Sequence, residues 1–215
     1  MLMEKEIAEV LLEIKAVELR PKEPFRWASG ILSPIYCDNR LLLSYPEERK
    51  KVVDAFEKKA REIGLGNFDV VAGVESSGIP HGAWLAERLS KPMAYIRKKK
   101  KEHGKENLVE GKLEKGQKVL VVEDLISTGG SLFNCVEGVR EQGGIVENCL
   151  AIFSYELEKS KLGAEQANVK LHPLTNFSSL VETAKEKNFI SEEDMQPALD
   201  WKADPQGWGK KMGFE

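Results

Sequence analysis

Hydrophobic positions early in the chain repeat at helical spacing. Ile7, Val10, Leu11, Ile14 and Val17 fall on one face with Glu and Lys between them, and Pro21 and Pro24 bound the segment. This predicts an amphipathic helix running to about Val17. Residues 25–40 are rich in Gly, Ser and Pro and read as turns. Pro46 then opens a second helical pattern through Val52, Val53, Phe56 and Ala60, ending at Gly64. Beyond it the period changes. Short, nearly continuous apolar runs at 69–74, 92–97, 119–122, 148–153 and 169–174 predict strands. Helical patterns follow the first run, through Trp84, Leu85 and Leu89, and the third, through Leu132, Val136 and Val139. Apolar strands alternating with helices predict an α/β fold whose mostly parallel sheet is covered on both faces. Ligands of such sheets bind at the carboxyl ends of the strands.

Composition changes this picture little. With 215 residues, 41% hydrophobic and 31% charged, the chain suits one α/β domain and no disordered class. A net charge of -3 and a pI of 5.8 do not announce a nucleic-acid or membrane partner. The apolar runs are strand-sized, and the N-terminus is too charged for a secretory signal, so the cytoplasm is expected. Cys37, Cys135 and Cys149 form no CxxC pair and read as reduced, buried thiols. His81, His103 and His172 lack zinc-ligand spacing, so no protein-built metal site is expected.

The chemistry concentrates after the third strand, where Glu123 and Asp124 precede Leu125, Ile126, Ser127, Thr128, Gly129, Gly130 and Ser131. Glycines let a backbone approach a ligand closely, and the exposed N–H groups of a helix start favour a phosphate. Hydroxyls at Ser127, Thr128 and Ser131 add neutral donors. Two carboxylates suit ribose hydroxyls, as acceptors from the 2′ and 3′ positions. The segment lacks the GxxxxGK of a Walker loop and the GxGxxG of a dinucleotide site.

This string resembles the ribose-phosphate signature of the type I phosphoribosyltransferases. Three further segments resemble the orotate phosphoribosyltransferase family within that group. Residues 25–40, with Phe25, Ser29, Gly30, Ser33, Pro34, Tyr36 and Asp38 in pattern, match its N-terminal hood. Alone they also fit a structural β-hairpin. Arg97, Lys98, Lys101, His103 and Gly104 match its lid loop, Lys99 and Lys100 falling at unmatched positions. By composition alone a run of four lysines is a solvated face or a nucleic-acid patch. Residues 72–80, including Ser76 and Ser77, sit where the family holds diphosphate.

The resemblance implies a single domain over 1–215, with the hood formed mainly by 1–45 and the C-terminal part and a core of about 46–175. It implies 5-phosphoribosyl 1-diphosphate and orotate as substrates and Mg²⁺ held mainly by substrate. It also implies a homodimer sharing the lid between subunits. Lys98, Lys101, His103 and Asp124 are the implied catalytic residues. The ribose diphosphate would meet Arg97 and the lid residues, the 123–131 segment, Ser76 and Ser77. Orotate would meet Ser127, Tyr36, Ala28 and Ser29. The chain departs from the family pattern in three places. Ser77 stands where some members have a lysine, Ala28 replaces a hood lysine, and Ser154-Tyr155 replaces an arginine after the fourth strand. A phosphoribosyltransferase for another base, or a regulator on the same fold that senses the ribose diphosphate, are the alternatives. The tail around Trp201 and Trp208 is left without a role.

Overall fold

Val70–Val74 is buried at every position, as a strand covered on both faces must be. In the computed structural model, which describes residues 2–27, 29–98 and 108–214, this segment is the fifth strand in chain order. The elements are α1 (Leu2–Glu13), β1 (Val17–Leu19), β2 (Phe25–Arg26), β3 (Leu32–Ser33), β4 (Ile35–Cys37) and a 3₁₀ turn (Asn39–Ser44). Next come α2 (Pro46–Ile63), a 3₁₀ turn (Leu65–Asn67), β5 (Val70–Val74), α3 (Gly78–Leu89), β6 (Met93–Ile96) and β7 (Val109–Glu110). Then follow β8 (Lys118–Ile126), α4 (Gly130–Glu141), β9 (Ile145–Ser154), α5 (Glu158–Gln166), β10 (Lys170–Asn176), α6 (Phe177–Glu186), α7 (Glu192–Ala203) and α8 (Trp208–Lys211).

The central sheet has six strands in the order β10-β9-β8-β5-β6-β7, parallel except for β7, which pairs antiparallel with β6. Strand periodicity divides the core in two. Val71, Leu120, Val122, Leu150 and Ile152 face one side, with α1, α2, α3 and α6. Val70, Ala72, Val119, Val121, Cys149 and Ala151 face the other, with α4 and α5. The five expected strands correspond to β5, β6, β8, β9 and β10. No described helix is long and apolar enough to cross a membrane.

Two expectations need correction. The first helix does not reach Val17. It ends at Glu13, Lys15 takes a positive φ of 56°, and Val17 opens β1, paired antiparallel with β4. The apolar spacing continued by coincidence across that reversal. The third predicted strand is also longer than its apolar run. β8 continues through Ile126, pairing Glu123 with Ala151 and Leu125 with Phe153 on β9. The acidic pair therefore belongs to the strand, not to the loop after it.

The hood segment contains the antiparallel β2–β3 hairpin, closed by Trp27 N–H donating to Ile31 O (2.9 Å). The tail packs upon it. Trp201 is fully buried and donates its indole N–H to Leu32 O (3.0 Å), and Trp208 donates to Pro197 O (2.8 Å). Trp27, Tyr155 and Trp201 stand within 5.3–5.7 Å of one another by ring centroid, joining the hairpin, the end of β9 and α7.

Candidate active site

The carboxyl ends of β5 and β8, the start of α4 and the end of β4 enclose a cleft of about 310 Å³. Its walls are Cys37, Asp38 and Arg40 from the hood, Ser77 and Lys98 on a second side, and Glu123, Asp124, Leu125 and Ser127–Leu132 along the third. Close packing sets the spacing of these walls. A Cβ at Gly78 would stand 2.4 Å from Val122 O, so only glycine lets the start of α3 lie against β8. Gly129 caps α4 with φ 80°, turning the chain so that the first N–H groups of the helix face the cleft. Beside it, a Cβ at Gly130 would meet nothing within 4 Å, which leaves room for an anion. The peptide joining Glu75 and Ser76 is cis.

The two acids are not equivalent. Both border the cleft, but successive strand residues take opposite faces, and Glu123 is 3% exposed whereas Asp124 is half-buried. Burial, reinforced by the hydrogen bond and charge of Asp124, pushes the Glu123 carboxyl up to about 9. Glu123 is therefore a neutral acid at neutral pH, able to donate as well as accept, rather than a second carboxylate. Its Oε1 accepts the N–H of Asp124 (3.0 Å), and Asn39 Nδ2 donates to Asp124 O (2.8 Å). Behind the pair lies His81, buried against Phe56 and Trp84. Burial lowers its imidazole to about 4, Asp124 opposing the shift, so it too is neutral.

A folded pKa of about 9 on an acid normally near 4.5 has a definite sign. The stability held by neutral Glu123 is complete below about 4.5 and is lost as pH rises towards 9. Glu123→Gln copies the neutral form and does not titrate. Its melting temperature is expected to gain steadily on that of the wild type between about pH 5 and pH 9. Thermal melts across that range check this, and a constant difference contradicts it.

The cleft brings together Ser77, Lys98, Glu123, Asp124, Leu125, Ser127, Thr128, Gly129, Gly130 and Ser131 from the expected site. Ile126 is buried at 1% exposure, and its carbonyl accepts the N–H of Tyr155 (2.9 Å). Ser76 is exposed beside the cleft. Arg97 pairs with Glu110 (3.7 Å) at the sheet edge, while Lys98 N–H donates to Glu75 Oε2 (3.1 Å). Tyr36 is exposed and packs on Phe25 (5.6 Å). Ser29 opens on a different cavity, shared with Gln206 and Gly209 under the tail. Ala28, Lys101 and His103 lie outside the described residues.

The sequence pointed to the hood through Tyr36, Ala28 and Ser29, whereas the hood residues that line this cleft are Cys37, Asp38 and Arg40. Cys135 and Cys149 are buried as expected, but Cys37 is half-buried and borders the site. Burial also raises its thiol well above the usual range, so it stays a protonated, unreactive neighbour. Asp38 stood out only as a matched position of the hood pattern, and Arg40 only as the end of that turn-rich stretch.

Residues 42–168 match the phosphoribosyl transferase domain family. Over 98% of its length the chain is 53% identical to an orotate phosphoribosyltransferase of Listeria innocua, all of which it covers. It superposes on a crystal structure of orotate phosphoribosyltransferase from Aeropyrum pernix with a TM-score of 0.73 and 30% identity, covering 86% of this chain and 99% of that one. A Mycobacterium tuberculosis orotate phosphoribosyltransferase, solved in complex with 5-phospho-α-D-ribosyl 1-diphosphate, shares the fold at a TM-score of 0.63 and 20% identity. That match covers 83% of this chain and 98% of the other. On the matched domain and the near full-length identity, the chain belongs to the phosphoribosyltransferases and, within them, to the orotate phosphoribosyltransferase family.

Proposed function

We propose that the protein moves the phosphoribosyl group of 5-phosphoribosyl 1-diphosphate to N1 of orotate, giving orotidine 5′-monophosphate and diphosphate for pyrimidine biosynthesis. The observation that carries this reading is one cleft joining an acid end to an anion end, in a chain 53% identical to a relative of that name. The helix start at Gly129–Ser131 takes the 5′-phosphate. Asp124 accepts from a ribose hydroxyl, and neutral Glu123 beside it holds the ring in place. Ser127, with Tyr36, Ala28 and Ser29 of the hood, is assigned to the base, and Ser76 and Ser77 to the diphosphate.

The C1–oxygen bond to diphosphate breaks ahead of the bond to N1, so positive charge grows on the sugar and negative charge on the leaving group. Catalysis is then mostly positioning and electrostatics. Asp124 faces the first charge. Lys98, together with Arg97 and with Lys101 and His103 of the lid, answers the second and excludes water.

The reaction takes Mg²⁺. Among the described residues no three carboxylate, histidine or cysteine side chains converge on a cage. The cleft does offer a hard oxygen donor at Asp124, at the ribose end, which suits a hydrated ion held mainly by substrate. Bound there, the ion would neutralise charge on the departing diphosphate.

One domain over 1–215, its hood made by 1–45 and the tail and its core by 46–175, works in the cytoplasm as a homodimer with a shared lid. Leu41, Leu43 and Tyr45, exposed in a row directly after the cleft residues, support an interface at that edge. Mixing a lid variant with an Asp124 variant, each inactive alone, is expected to restore activity if sites are shared.

Lys101→Ala is expected to lose roughly 2–4 kcal/mol of barrier stabilisation, and Lys99→Ala little. Equal losses in steady-state turnover contradict the lid alignment. Chelating Mg²⁺ is expected to abolish turnover and its return to restore it.

A further inference from the structure

The turn after β5 carries no cation. Ser77 occupies its end, next to the start of α3, so the diphosphate end of the cleft has a serine where a charge would serve. The chain brings one there from the hood. Asp38 is fixed by its N–H donating to Ala16 O (2.7 Å), at the head of β1. Its carboxylate then grips Arg40 with both oxygens, Nε to Oδ1 at 2.6 Å and Nη2 to Oδ2 at 2.7 Å, while Arg40 N–H donates to Oδ1 at 3.1 Å. Between them Asn39 ties the same segment to the backbone of Asp124 (2.8 Å). Arg40 is thus clamped at the mouth of the cleft that Ser77, Lys98 and Asp124 also line.

A guanidinium carries five N–H donors in a planar fork, and Asp38 takes two. The rest lie on a side chain 63% exposed, held flat and open to an incoming anion. A surface ion pair with no further duty would be worth little to the fold.

Arg40 feels the charge of Asp124 and lines the same cleft as Ser77 and Lys98, so an anion seated beside the ribose end comes within its reach. The 5′-phosphate already has the N-terminus of α4. Among the described residues lining the cleft, the cations are Arg40 and Lys98.

We propose that Arg40, clamped by Asp38, is a diphosphate-binding residue of this enzyme and supplies from the hood the cation that Ser77 does not. The proposal rests on the ribose-diphosphate reading above. It also ties hood placement to the leaving group, since the strand that delivers Arg40 carries Tyr36.

Arg40→Gln tests it by steady-state kinetics with Mg²⁺ and by calorimetric titration with inorganic diphosphate and Mg²⁺. The expected result is a rise of about tenfold or more in KM for the ribose diphosphate and in Kd for inorganic diphosphate. KM for orotate and the melting temperature should stay near wild type. Adding Ser77→Lys to Arg40→Gln is expected to recover much of the lost affinity, and no recovery overturns the exchange of one cation for the other. A rise confined to KM for orotate assigns Arg40 to the base carboxylate and overturns the proposal, as does no change in either substrate. Wild type that binds diphosphate but ignores orotate contradicts the family reaction, and the titration still decides Arg40.

Discussion

Asp124→Asn is expected to lower kcat/KM by two to three orders of magnitude, about 3–4 kcal/mol, while Glu123→Gln lowers it far less. Two adjacent acids at the end of β8 invite equal roles, and the fold denies them that. Asp124 faces the cleft and carries the charge that meets the sugar as diphosphate departs. Glu123 is buried and neutral, so the amide of glutamine reproduces its shape and most of its hydrogen bonding. Asparagine at 124 keeps shape too, but removes the charge where charge develops. Single-turnover measurement of both variants separates chemistry from product release. Equal losses contradict the division of labour between the two acids.

Trp201→Ala is expected to cost about 3–5 kcal/mol of stability, lowering the melting temperature by on the order of 10 °C. The indole is fully buried, contacts Trp27, Tyr155 and Phe177, and donates to Leu32 O. Alanine therefore leaves a cavity and an unmet carbonyl in the seam between hood and sheet. The seam has a polar lock besides. Glu156 accepts from Ser178 N–H (3.0 Å) and from Lys202 (3.2 Å) of α7, so the tail is held at two neighbouring points. A calorimetric scan of the variant checks this. A transition unmoved from wild type would mean the tail is not part of the folded unit.

The central sheet was legible because a parallel strand buried on both faces must be apolar throughout, as Val70–Val74 and Val119–Val122 are. The end of β8 was not, since Glu123 and Asp124 interrupt the apolar run although the strand continues beneath them. The turn at Lys15 carries neither glycine nor proline, so nothing local marked where α1 stops and β1 begins. The tail's main helix hid for the opposite reason: Pro197 sits inside α7 and reads as a breaker, yet packing of Ala198 and Trp201 holds the helix around it.

The site divides the same way. Residues 123–131 announced themselves because their chemistry is contiguous along the chain. Arg40 did not, because it joins Ser77 and Asp124 in one cleft only once the chain is folded, from a segment far from both in sequence. Nor could the inequality of the two acids be read from their order, since it comes from which face of β8 each one takes.

The most direct test of the account supplies the enzyme with Mg²⁺, 5-phosphoribosyl 1-diphosphate and, in turn, orotate, uracil, adenine and hypoxanthine, and follows diphosphate release. Rapid release with orotate alone, and formation of orotidine 5′-monophosphate, are the expected results. Release with adenine or uracil and none with orotate would contradict it.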